Sequence, residues 1–345
     1  MKNSVLIVAS LVLAPGCGFA QSGVVLINQT TTAASGQNPS TGGVPYVIAQ
    51  PGNCQRTANP TAAPVSFPLI TVPAVASCNA RSLQAPDGPI RLNTLSGIPV
   101  VDGVFLNGSG PYRFVLDTGG QLSQLEASIA GKLGLTPTFQ VDVATTTGSI
   151  HGAGGRIAQV SLGSATASNQ EFLFTTLDGA HALSADIKGV LGQQFLAKFD
   201  YLLDFAHHRL AFGEPAPTSG NRVNFETVHG RPAIQTSEGR LTLDSGTNVL
   251  VLYGPASEHL VSAGNYGPVI RTDAGTAPAT ALEGFRLRIA GREYHPANAA
   301  ASARRDLLGD DGVLPASLFH AVFVSNSGKY LILDPSADSG PARER

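Results

Sequence analysis

Two short runs constrain this chain most: Val115-Leu116-Asp117-Thr118-Gly119 and Thr242-Leu243-Asp244-Ser245-Gly246. Each ends an apolar strand on an aspartate, a small hydroxyl residue and a glycine. A carboxylate is thereby set where a strand turns sharply, and the glycine admits a second backbone beside it. One such triplet is ordinary turn vocabulary. By average composition a single match in a chain of this length has a chance of about one in ten, so the surroundings of the pair have to decide.

Those surroundings recur. Ahead of Asp117 run Gly103 to Phe114, two strand-like stretches about Asn107-Gly108, which predict a hairpin. Ahead of Asp244 run Ala233 to Leu241, again apolar, turn, apolar. Downstream lie Lys188-Gly189-Val190-Leu191-Gly192 and Asp311-Gly312-Val313-Leu314-Pro315, at similar offsets from the aspartates (189 − 117 = 72 and 312 − 244 = 68). Each stretch then closes on an apolar strand holding an aspartate, Asp204 and Asp334. Four features in the same order predict an internal duplication.

An Asp-Thr-Gly triplet after an apolar strand, with an apolar-apolar-Gly element about seventy residues on, resembles the retropepsin-like aspartic peptidases. Val190-Leu191-Gly192 resembles the family's second signature, with Val313 and Leu314 as its counterpart. The resemblance spans residues 98–335 and follows the pepsin-like plan, in which one duplicated chain supplies both aspartates. It implies an all-β, two-lobed acid-protease-like fold with an internal pseudo-twofold axis. It further implies catalysis by Asp117 and Asp244, loops braced by Thr118 and Ser245, and a floor lined by Gly119 and Gly246. The reaction it implies is peptide hydrolysis by a water held between two carboxyls that share one proton, with an extended peptide or unfolded protein as substrate.

Thr247 follows the second triplet where Gly120 follows the first. A hydroxyl there can donate to its aspartate, so Asp244 is expected to carry the charge and Asp117 the proton. Pro315 stands where the first unit has Gly192, so the second bracing element is expected to be built differently. Thr145 to Gly155 predicts a glycine-rich hairpin over the cleft, with a weaker counterpart at 271–281. A helix is expected over Gln124 to Leu135 and another, shorter, over Gly192 to Phe199.

Composition fits many short strands: 39 Gly and 23 Pro with only 13% charged residues. A formal charge of −2 gives no basic footprint for nucleic acid. Lys2, the apolar run Val5 to Ala14 and Gly18-Phe19-Ala20 predict an export signal over 1–20, which is too short to span a membrane. Soluble export is favoured over a lipid anchor at Cys17. Cys54 and Cys78 then remain as an even pair in an exported chain, for which a disulfide is the default.

Residues 21–95 are expected to be a semi-ordered extension, rich in Thr, Ala, Pro and Gly. Lobes over 96–213 and 223–335 follow, joined by a linker at 214–222, with a tail at 336–345. No Gly-x-Ser-x-Gly elbow occurs. His207-His208 reads as a surface turn, and Asp186, Asp311, Asp204 and Asp334 as turn or bracing residues. No cofactor or metal is expected, and a monomer is. Two further readings remain: a protein of this fold that binds peptides without turning them over, and a peptidase that processes only itself.

Overall fold

In the computed structural model the residues described are 5–7, 11–13, 88–254, 269–272, 274–302 and 309–335, all within one compact unit. Two positive-φ residues, Asn107 (φ 49°) and Gly108 (φ 79°), close the expected hairpin of Ile98–Leu106 and Ser109–Leu116. Asparagine and glycine tolerate that left-handed pair best, and its twist matches that of the flanking strands. Within the hairpin Val100 lies opposite Val115 and Val101 opposite Phe114. Ile187–Leu191 runs parallel to Ser109–Leu116, with Val190 beside Val115 and Leu191 beside Leu116. On its other side Ser123–Glu126 pairs antiparallel.

The same four-strand arrangement occurs around Asp244. Arg231–Thr236 and Gly239–Asp244 form the hairpin, with Ala233 opposite Thr242. Gly312–Pro315 runs parallel to the second of these, with Thr242 beside Val313, and Leu250–Tyr253 pairs antiparallel to it. A glycine sits at the tightest crossing in each case. A Cβ on Gly189 would meet Phe114 Cε1 at 2.1 Å, and one on Gly312 would meet the Val251 carbonyl at 2.2 Å. Neither strand could approach its neighbour with a larger residue there.

The two arrangements are tied by a common sheet. Tyr201–Asp204 pairs with Ala321–Ser325, and Asn221–Asn224 pairs with Tyr330–Leu333. One buried cluster runs through both, from Phe114, Leu116, Leu191, Phe195 and Tyr201 to Leu243, Leu314, Phe319 and Leu331. Burying Phe114 and Phe195 completely contributes at most about 3 kcal/mol each. This continuous core holds the two triplet loops at a fixed separation.

Three expectations are corrected. Gln124 to Leu135 is not one helix: Ser123–Glu126 is a strand and only Ala127–Lys132 is helical. Pairing of Ser123–Glu126 with Ile187–Leu191 on one side and Ala165–Thr175 on the other outweighs local propensity. Ile90–Leu95, assigned to the extension, is a strand paired with Ile98–Leu106. Asn221 and Arg222, assigned to the linker, already pair with Leu333 and Ile332. The helix Gln193–Leu196 does begin just after Gly192.

Val5–Ile7 and Leu11–Leu13, within the expected export signal, are strands paired to Val269–Thr272 and Phe139–Thr145. The rest of that signal, Cys17, the Cys54–Cys78 pair and the tail lie outside the described residues. Among the described residues no helix is long and apolar enough to cross a membrane.

Candidate active site

Asp117 directly follows Ser109–Leu116 and Asp244 ends Gly239–Asp244, and both are fully buried. The Asp117 amide donates to the Leu191 carbonyl at 2.9 Å, so the second-signature strand anchors the first triplet directly. The loops then grip each other reciprocally. Thr118 N–H donates to Ser245 Oγ at 3.0 Å, and Ser245 N–H donates to Thr118 Oγ1 at 2.9 Å. The hydroxyls pass the bonding onward, Thr118 Oγ1 to the Leu243 carbonyl at 2.8 Å and Ser245 Oγ to the Leu116 carbonyl at 2.6 Å. Each hydroxyl accepts once, across 127 residues of chain, and donates once, across 125 or 129. No polar group in this grip is left unmet, which burial demands.

Each glycine floors the opposite carboxyl. A Cβ on Gly119 would lie 2.4 Å from Asp244 Cγ, and one on Gly246 would lie 2.7 Å from Asp117 Cγ. The carboxyls are within hydrogen-bonding reach of each other. Asp117 Oδ1 accepts from the amides of Gly119 and Gly120, both at 2.9 Å, whereas Asp244 Oδ1 accepts only from Gly246, at 2.7 Å. The two Oδ2 atoms receive no donor from elsewhere in the protein. A single proton between the carboxyls therefore satisfies both.

Burial pushes both acids up. For Asp117 the hydrogen bond from Asp244, the two amides and the nearby Arg231 charge hold the rise to about 6. For Asp244 burial is compounded by the charge of Asp117 and by its hydrogen bond, and only the Gly246 amide and Arg231 oppose them, so its pKa stands well above the usual carboxylate range. Two amides at Asp117 against one at Asp244 favour the charge on Asp117. The donor expected from Thr247 goes elsewhere: its hydroxyl donates to the Val249 carbonyl at 3.2 Å.

The second signature brings Gly192 under the first loop, where its amide donates to Ser123 Oγ at 3.0 Å. Gln193 Nε2 donates to the Thr118 carbonyl at 2.8 Å. Val313 and Leu314 hold the equivalent strand positions, but Pro315 leads into a 3-10 turn, Ala316–Leu318. The second brace therefore has no side-chain counterpart of Gln193, in line with the expected difference at Pro315.

Two hairpins, one in each half, meet at their tips. Phe139–Thr145 and Ser149–Leu162 form the first, and Val269–Thr272 and Gly275–Pro278 the second. Their tips meet: Thr145 Oγ1 lies 3.0 Å from Thr272 Oγ1, and Thr147 Oγ1 donates to the Gly275 carbonyl at 3.3 Å. Thr146 Oγ1 lies 2.9 Å from the Tyr253 hydroxyl.

Of the remaining acids, Asp204 braces the His207 amide at 2.9 Å and Asp334 that of His320 at 2.8 Å. Asp186 pairs with Arg113, and Asp311 accepts from the Arg240 amide at 2.8 Å. Among the described residues no group of His, Cys, Asp and Glu is arranged to hold a metal. Sequence reasoning missed the fully buried Arg231, whose Nη2 lies 2.8 Å from Asp310 Oδ2. No local signal marks it: Arg231 stands where the first hairpin has Ile98 only once the strand registers are known.

Residues 101–195 match the model of a family described as aspartyl protease. The match contains Asp117, the first triplet and the second-signature strand, and supports a hydrolase of the protease class. Asp244 lies beyond it. No curated protein matches the chain.

Proposed function

We propose that the chain is an exported, single-chain aspartic endopeptidase made of two retropepsin-like units, with Asp117 and Asp244 as its catalytic pair. The observation that carries this reading is the reciprocal grip of Thr118 and Ser245, which holds two carboxyls together around one proton. The constant separation of contacting pairs supports the two-unit plan: Thr118 with Ser245, Thr145 with Thr272 and Asp200 with Ser327 are each 127 residues apart.

The charged Asp117 takes a proton from water as the oxygen attacks the peptide carbonyl, and Asp244 gives its proton to the carbonyl oxygen. The resulting diol collapses as the proton held by Asp117 passes to the leaving amine, and a diol proton returns to Asp244. No covalent intermediate forms. The substrate enters extended, as a strand added to the hairpin edges. The edges of Phe139–Thr145 and Val269–Thr272 already accept Leu11–Leu13 and Val5–Ile7 in this way. The carboxyls are fully buried, and the hairpin tips, joined through Thr145 and Thr272, part for the substrate to enter.

The same two pairings favour a second reading, in which the peptidase processes its own N-terminal segment. The test is to incubate the full chain with a peptide library from acid to mildly alkaline pH, beside Asp117→Asn and Asp244→Asn. Cleavage lost in both variants supports the endopeptidase. Shortening of the chain alone supports self-processing, and binding without cleavage in every version overturns both.

A further inference from the structure

Among the described residues, one half of the molecule carries a buried charge cluster that the other half lacks. Arg231 and Asp310 form an ion pair with both side chains wholly buried, and the Thr242 hydroxyl donates to the same Asp310 oxygen. Strand register fixes the positions equivalent to Arg231 and Thr242, and counting back along the chain gives that of Asp310. Thr242 lies opposite Ala233 and beside Val313, as Val115 lies opposite Val100 and beside Val190. Arg231 is two residues before Ala233 and Ile98 two before Val100. Asp310 is three before Val313 and Ile187 three before Val190.

Ile98, Val115 and Ile187 all belong to one buried apolar cluster. Three aliphatics in the first half are thus replaced together by Arg, Thr and Asp in the second. An aliphatic set needs no partners, whereas a buried ion pair often contributes less stability than the apolar residues it displaces. Core stability therefore gives no reason for the exchange. Its position gives one: Thr242 is two residues before Asp244 on the same strand, so the cluster lies on the face from which Asp244 projects.

We infer that Arg231, held in place by Asp310 and Thr242, is a positioning residue that sets the protonation of the carboxyl pair, shifting its singly protonated form toward lower pH. This rests on the proposed peptidase reading of Asp117 and Asp244. The guanidinium acts on both carboxyls against the effect of burial. The other charged or titratable groups around it are His229 beside Gly309, Tyr253, which feels Asp310, and at the outer edge Arg240 and Asp311.

Three variants test this: Arg231→Met, Asp310→Asn, and the triple Arg231→Ile, Thr242→Val, Asp310→Ile, which rebuilds the apolar set of the first half. Each is followed by the pH profile of kcat/KM on a peptide substrate and by carboxyl carbon-13 titration of aspartate-labelled protein, which needs no turnover. Arg231→Met should move the lower limb of both profiles upward by about one pH unit, and the triple variant, which removes both charges of the pair, upward by less. Asp310→Asn, which removes the carboxylate charge beside the guanidinium, should move it downward. The triple variant keeps the test open should either single variant fail to fold.

A folded triple variant with an unmoved carboxyl titration overturns the inference, as does a uniform loss of activity at every pH. Disappearance of the Arg231→Met shift in a His229→Gln background also overturns it, because the imidazole would then be the group responsible. If no version cleaves peptide while the titrations still move as described, the peptidase reading falls and the electrostatic role of Arg231 stands.

Discussion

Replacing Gly119 by alanine tests the central geometry with one methyl group. Its Cβ would sit 2.4 Å from Asp244 Cγ, and 2.6 and 2.8 Å from the two carboxyl oxygens. Ordinary contact begins near 3.4 Å, so the carboxyl or the loop must move by about 1 Å. The Gly246 amide and the grip of Thr118 with Ser245 resist that motion. A misplacement of this size costs catalysis about a hundredfold, equivalent to about 2.7 kcal/mol in the barrier. Gly246→Ala should be milder, because its Cβ lies 2.7 Å from Asp117 Cγ and needs less displacement.

The assay is kcat/KM on a peptide substrate at the pH of maximal activity, with thermal unfolding measured on the same samples. Gly131→Ala is the matched control. It lies in the helix Ala127–Lys132 with nothing within 4 Å of its added Cβ. There alanine should leave activity unchanged and raise stability by about 0.5–1 kcal/mol through helix propensity. Wild-type kcat/KM in Gly119→Ala would refute the reasoning, because no active arrangement of these loops has room for the methyl.

Two further outcomes follow from the same buried site. Thr118→Val should destabilise the fold by about 2–4 kcal/mol in denaturant unfolding, because it strands the Ser245 amide and the Leu243 carbonyl in a dry interior; Thr118→Ser should recover most of the loss. An acid whose folded-state pKa is raised binds its proton more tightly in the folded chain, so its burial is without charge penalty below about pH 3.8 and costs progressively more up to its folded pKa. For Asp117 the rise to about 6 amounts to about 3 kcal/mol, and Asp244 extends the loss to higher pH. The double variant Asp117→Asn, Asp244→Asn should therefore gain stability over wild type at pH 7 and lose that advantage near pH 4. An equal difference at both pH values would contradict it.

The parts of this fold that were legible in the sequence are those written in local vocabulary. Asn107-Gly108 specifies a turn, and the glycines of the Gly-Val-Leu elements mark where strands cross closely. Helix and strand exchanged places at Gln124 because a segment sandwiched between two partners takes the sheet's conformation whatever its own preference. The Arg231–Asp310 pair was hidden for a different reason. His229-Gly230-Arg231-Pro232 reads as an exposed turn, and nothing local says that the guanidinium folds inward to meet an acid 79 residues on. Only the register of the finished sheets makes Arg231 the counterpart of Ile98.

Thr247 shows why composition at a triplet cannot settle which acid is charged. The presence of a hydroxyl suggests a donor for Asp244, yet the turn into Leu250–Tyr253 places the Val249 carbonyl and amide against Thr247 Oγ1, and the hydroxyl is consumed there. Gly120 seems to bring nothing, having no side chain, but its amide points at Asp117 and supplies the second donor. A Cβ at Gly120 would lie 2.7 Å from Asp117 Oδ2, so the absence of a side chain is what lets that amide come close. The asymmetry of the pair thus arises from backbone geometry. Asp117 has two amides and Asp244 has one, and that imbalance favours the charge on Asp117 and the proton on Asp244.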